Sequence, residues 1–194
     1  GKADHVTPDD IQEARLAAEY LFDHGATRLA VVGSRTEPGH IDSVRDAAEG
    51  NAQLRLRGVL EACAARGAAF DSRLVMSTGQ DWTIGSGARI TQQLIDSGIP
   101  FDGIVAFNDQ LALGALFTLA ANGISVPEQM QVIGFDNIEE AAYFQPPLTT
   151  MDSRLDWTAP TAVNRILGRI DGSITKPELL TTESQVIARA STRM

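Results

Sequence analysis

Four residues carry chemistry that a ligand site could use, and they recur at equivalent places along the chain. Asn108 follows the apolar run GIVAF and Asp136 follows the run QVIGF. Trp82 lies in a polar loop after RLVMS, and Arg55 lies in the first turn of the helix after LAVVG. An amide, a carboxylate, an indole and a guanidinium together suit a neutral, hydroxyl-rich ring. Planar polar groups fork onto hydroxyl pairs, while an indole face packs on the CH-bearing face of a sugar or on a nucleobase. Taken singly, each has a plainer structural role. Asn108 and Asp136 read as helix N-caps, Arg55 as one of several solvated charges in QLRLRG, and Trp82 as a packing aromatic. The case for a site rests on their placement together.

That placement follows from the stretch Phe101 to Asp136, one complete strand, helix, strand unit. GIVAF is a short β-type apolar run that stops at Asn108-Asp109, where a helix should begin. The Ala- and Leu-rich run LALGALFTLAANG is too apolar for a surface helix, and Gly123 with Pro127 ends it. QVIGF then repeats the strand pattern. Two parallel strands joined this way form a right-handed crossover with both carboxyl ends on one edge, where open α/β sheets bind ligands.

The unit repeats upstream. Thr7-Pro8-Asp9-Asp10 reads as a helix start, its acids facing the positive end of the dipole, and Gly25 closes a helix from about Asp9 to His24. A strand at Leu29 to Gly33 precedes the long polar stretch Ser34 to Asn51, a length typical of functional or mobile loops. A helix from about Ala52 to Arg66, a strand at Arg73 to Ser77 and a helix from near Thr83 to Ser97-Gly98 complete the series. The alternation predicts an α/β fold, a three-layer αβα arrangement with a mainly parallel sheet. Beyond Asp136 come a short helix cut off by Pro146-Pro147, an extended piece from Leu148 to Met151, and an amphipathic helix within Asp152 to Gly172. A polar linker to Glu178 then leads to the β-rich run SQVIARAS.

Composition narrows the function. The chain has 194 residues and a formal charge of −9, which argues against its gripping a phosphate backbone by itself. No apolar run approaches the ~20 residues needed to span a bilayer, and GKADHVTPDD at the start lacks the apolar core of a signal peptide. The single cysteine, Cys63, sits among alanines and reads as a small buried residue in a chain suited to a reducing compartment. His5, His24 and His40 have no ligand spacing, Gly85-Ser86-Gly87 does not fit a nucleophile elbow, and no phosphate-cradling loop follows a strand. No catalytic machinery, metal or cofactor is expected.

The runs FDGIVAFNDQLALGALFTLAANGISVPEQMQVIGFDN, PPLTTMDS, RLRGVLEA and QDWTIGS resemble the effector-binding domain of the lactose and galactose repressor family of bacterial transcription regulators. The resemblance extends from about Asp9 to Ser191. It implies a type 1 periplasmic-binding-protein-like lobe in which Arg55, Asn108 and Asp136 contact sugar hydroxyls and Trp82 stacks on the ring. It further implies a cytoplasmic, homodimeric repressor without enzyme activity that binds a sugar or similar small polar effector, which alters operator DNA binding by a helix-turn-helix headpiece absent from this chain. Residues 9–150 and 182–191 would form the carboxy-terminal lobe, and 152–178 would return to an amino-terminal lobe also absent. The apolar side of that returning helix, with Val163, Ile166 and Ile170, is then expected to be covered by another copy or to pack abnormally. Leu155 stands where some relatives place an aromatic against the ligand. Two other readings stay open: a periplasmic sugar-binding protein of a transporter, and a small α/β enzyme acting on a sugar or sugar phosphate.

Overall fold

Short apolar runs bounded by Gly, Asn and Asp become the strands, and the Ala-rich stretches between them become the helices that cover both sheet faces. The computed structural model describes residues 3–194. In chain order it contains β1 (His5–Pro8), α1 (Asp10–Asp23), β2 (Leu29–Ser34), α2 (Asn51–Arg66), β3 (Val75–Ser77), α3 (Ile84–Asp96), β4 (Gly103–Ala106) and α4 (Asp109–Ala121). These are followed by β5 (Gln131–Phe135), α5 (Glu139–Tyr143), β6 (Thr149–Asp152), α6 (Leu155–Asp171), β7 (Leu179–Thr182) and β8 (Gln185–Ile187). Six strands form one sheet in the order β3-β2-β4-β5-β6-β8, parallel throughout except for β8, which runs antiparallel to β6.

Strand alternation divides the core into two layers. Val31, Val105 and Ile133 face Ala14, Leu21, Leu56 and Val59 of α1 and α2. Ala30, Val32, Ile104 and Val132 face Ile90, Leu94, Leu111 and Leu116 of α3 and α4. Within each layer the helices meet backbone to backbone. A Cβ on Gly58 of α2 would run into the Ile11 carbonyl of α1, and one on Gly114 of α4 would run into the Ile84 carbonyl of α3.

The structure departs from the sequence expectation in three places. Thr7-Pro8 does not begin a helix: both residues belong to β1, which pairs in parallel with β7 from His5↔Leu179 to Pro8↔Thr182. A four-residue strand with half-exposed residues has too little alternation to be read from sequence. The strand expected from Arg73 starts only at Val75, because Ser72–Leu74 forms a 3-10 turn capped by the Asp71 carboxylate on the Arg73 amide. The stretch Ser34 to Asn51 is not free chain: Pro38–Val44 is 3-10 helical, and Ile41 and Val44 are buried in the α1–α2 layer. The helix α6 lies with β1 and β7, apart from the large sheet. The Asp4 carboxylate accepts from Arg165, from Arg169 Nε at 2.8 Å and from the Glu178 amide at 2.9 Å, and the Arg165 hydrogen bond above all holds it well below the usual carboxylate range. The apolar side of α6 is open in the single chain, with Ile166 60% and Ile170 77% exposed. No helix among the described residues is long and apolar enough to cross a membrane.

Candidate functional site

The carboxyl ends of the parallel strands share one edge, and all four residues singled out above lie along it. The pairing Val105↔Ile133 of β4 and β5 fixes the relation of Asn108 and Asp136, each three residues further on. Arg55 reaches that edge from α2. Its Nη1 donates to the carbonyl of Phe107, the residue before Asn108, and its guanidinium carbon lies 4.4 Å from the ring centroid of Phe135, the residue before Asp136. Asn108 caps α4, its Oδ1 accepting from the Leu111 amide at 2.8 Å, while its Nδ2 donates to the Trp82 carbonyl at 3.1 Å. Trp82 stands edge-on to Phe107 at 6.4 Å between centroids, with the Arg35 guanidinium 5.5 Å above its ring. Its indole Nε1 is shielded and has no partner.

Asp136 differs from the capping role that its position suggested. It has φ 100°, a left-handed conformation that a side chain tolerates poorly, and Ile138 rather than Asp136 is the N-cap of α5. Although the residue is exposed, protein surrounds its carboxylate closely enough for desolvation to raise its pKa; Arg55 opposes that rise and Asp10 adds to it. Arg55 is only 5% exposed and is far from a solvated charge. Three of its five N–H groups are used, by Asp10 Oδ1 at 2.9 Å, Glu13 Oε2 at 3.5 Å and the Phe107 carbonyl, which leaves two uncommitted.

Asp10 and Glu13 were not singled out from sequence. The acidic pair Asp9-Asp10 suggested only dipole complementarity, which fits Asp9, whose Oδ1 accepts from the Gln12 amide, but not Asp10, which turns to Arg55. A signal existed: Asp10 and Glu13, three apart, share the stripe of Ala14, Ala17 and Leu21 that faces the core. Burial raises the pKa of both, and Arg55 pulls it back in each. Asp109 was also overlooked behind its neighbour Asn108. It is fully buried, accepts from the Thr150 hydroxyl at 2.6 Å and the Ile138 amide at 3.0 Å, and burial pushes its pKa up to about 7. Gly134 makes the room, since a Cβ there would collide with the Asp109 carboxylate. Among the described residues no group of three His, Cys, Asp or Glu side chains could hold a metal.

Residues 18–192 match the periplasmic binding protein-like domain family over most of the chain. The chain belongs to that family. Among curated proteins it is 31% identical over 187 residues to the transcriptional regulator CelR of Thermobifida fusca, covering 96% of this chain and 51% of that protein. It is 32% identical over 170 residues to the regulator AscG of Escherichia coli, covering 87% and 46%. The chain thus spans about half the length of the curated relatives it matches. Among solved structures, a LacI-type transcription regulator from Bifidobacterium animalis subsp. lactis superposes with a TM-score of 0.93 at 35% identity, covering all of this chain and 69% of that one. A CelR–cellobiose complex superposes with a TM-score of 0.84 at 28% identity, covering 98% and 54%.

In this periplasmic binding protein-like domain the edge brings three kinds of polar group together. One guanidinium is held rigidly, one carboxylate is raised beside it, and one amide is half committed to a cap. Leu155 is 63% exposed at the start of α6.

Proposed function

We propose that the chain is the ligand-sensing part of a repressor-type transcription regulator and that it binds a sugar or a similar small polar effector without turning it over. The observation that carries this is the convergence of Asp136, Asn108 and Trp82 around a guanidinium fixed against two strand ends. Hydroxyl pairs suit the two spare N–H groups of Arg55 and the Asp136 carboxylate, and the Trp82 ring offers an apolar face. The cellobiose in the CelR complex and the ribose in an Enterococcus faecium regulator of the LacI family are ligands of this neutral, hydroxyl-rich kind.

In the whole protein, a homodimer in the cytoplasm, effector binding would alter how a helix-turn-helix headpiece engages operator DNA. Segment 152–178, grouped with β1 and β7, would belong to the amino-terminal lobe of the clamp, which would cover the open face of α6. The effector acts only through its different affinity for the two lobe arrangements. The test is a tryptophan fluorescence titration of the full-length protein with cellobiose and with ribose. A saturable change is expected for one of them, lost in Asp136→Ala and in Trp82→Phe; a change that survives Asp136→Ala undiminished would remove this edge as the binding site.

A further inference from the structure

Glu13 is fully buried one turn into α1, and its two oxygens face different parts of the molecule. Oε2 forms an ion pair with Arg55 Nη2 at 3.5 Å, and Oε1 accepts from the Ser153 hydroxyl at 2.5 Å. Ser153 is itself buried and occupies the crossover between β6 and α6, where Arg154 takes a left-handed φ of 55° to start the helix. The Ser184 hydroxyl, in the crossover from β7 to β8, is shielded without a settled partner and lies within reach of the same carboxylate. Since α1 follows directly from β1, all three connections between the small β1–β7–α6 group and the large sheet meet at one side chain.

Two buried carboxyl groups, Asp10 and Glu13, surround one guanidinium. Apolar residues would serve packing alone better than such a cluster. What the cluster supplies is a defined position for Arg55 and a polar path from it to the crossovers. We propose that Glu13 is the positioning residue of the effector site, holding Arg55 against the strand ends and coupling its position to the β6–α6 crossover through Ser153. The inference rests on Arg55 being the ligand-contacting guanidinium proposed above. Glu13 would therefore connect effector contact on the large sheet to the small β1–β7–α6 group.

The test is a double-mutant cycle read by amide hydrogen exchange without ligand. The reporters are Arg154, whose amide donates to Asp152 Oδ1, and Trp157 and Thr158, whose amides donate to the Arg154 carbonyl. With Glu13 intact, Arg55→Lys is expected to speed exchange at these amides about tenfold, the size of one charge-assisted hydrogen bond. In a Glu13→Gln background the same change should have less than about a twofold effect. Ser153→Ala provides a second background, removing the path at its other end while leaving Arg55 and Glu13 untouched, and the same loss of effect is expected there. Equal effects of Arg55→Lys in all backgrounds, or no effect with Glu13 and Ser153 both present, would overturn the coupling. A failed sugar titration beside a positive cycle would refute the effector reading and leave the coupling standing.

Discussion

Replacing Asp109 with Asn isolates the cost of keeping a carboxylate inside this domain. The Asp109 carboxyl is fully buried, and burial pushes its pKa up to about 7 from an ordinary value near 3.8. The folded chain therefore holds a proton on this group, between roughly pH 4 and pH 7, that the unfolded chain has released. Stability must fall as pH rises through that window and level off above it. Three pKa units correspond to about 4 kcal/mol as an upper scale. An amide fits the same geometry, its oxygen accepting from the Ile138 amide and its nitrogen donating to the Thr150 hydroxyl. Urea unfolding followed by circular dichroism should find Asp109→Asn more stable than wild type at pH 8, by up to about 4 kcal/mol, with the gap closing toward pH 4. Asp10, Glu13 and Asp136 are raised in the same sense, but they are present in both proteins and cancel in the difference. Parallel curves from pH 4 to pH 8, or a weaker variant at pH 8, would refute the reasoning.

Gly58→Ala is expected to lower the urea-derived stability by about 1–3 kcal/mol: the collision with the Ile11 carbonyl outweighs the gain of about 1 kcal/mol in helix propensity, and a more stable variant would show that α1 and α2 can separate freely. Burial pushes the Cys63 thiol up to about 11, so Ellman's reagent at pH 8 should react about a hundredfold more slowly with the folded chain than with the urea-unfolded one; equal rates would place the thiol at the surface. Asn108→Asp keeps an acceptor for the Leu111 amide and an anion at the start of α4 but loses the donor to the Trp82 carbonyl. In a Trp157→Phe background its emission should shift to the red while stability changes by less than about 1 kcal/mol, and unchanged emission would show that Asn108 does not hold the loop.

The central sheet was legible because its strands are buried on both faces and so appear as unbroken apolar runs, and because each ends at Asn, Asp or a Gly turn. Parallel pairing of the two strands is enough to set Asn108 beside Asp136. The pair β1 and β7 was not legible: its partners are more than 170 residues apart, each is four residues long, and neither has a buried face. Asp10 and Glu13 were missed for a different reason. Acids at a helix start already have a sufficient local explanation, which hid the shared core-facing stripe that separates Asp10 and Glu13, turned inward to Arg55, from the capping Asp9.

The same contrast explains why the residues of this edge are so hard to assign from sequence singly and so readable as a set. Asn108 is both a cap and a tether for the Trp82 loop, Arg55 both an ion-pair partner in the core and a donor with two N–H groups to spare, and Asp109 a helix-start acid that holds β6 and the α5 approach in place. Dual use follows from the geometry of parallel crossovers. The strand ends that face a ligand are also the helix starts whose amides must be satisfied, so polar residues there serve folding first and recognition with whatever valence remains. Asp136 is the exception, since it caps nothing and occupies a left-handed backbone conformation where desolvation outweighs the favourable charge of Arg55. A carboxylate kept under those conditions has little structural benefit to offset its cost, so Asp136→Ala is the substitution on this edge expected to cost least stability while it tests the proposed binding.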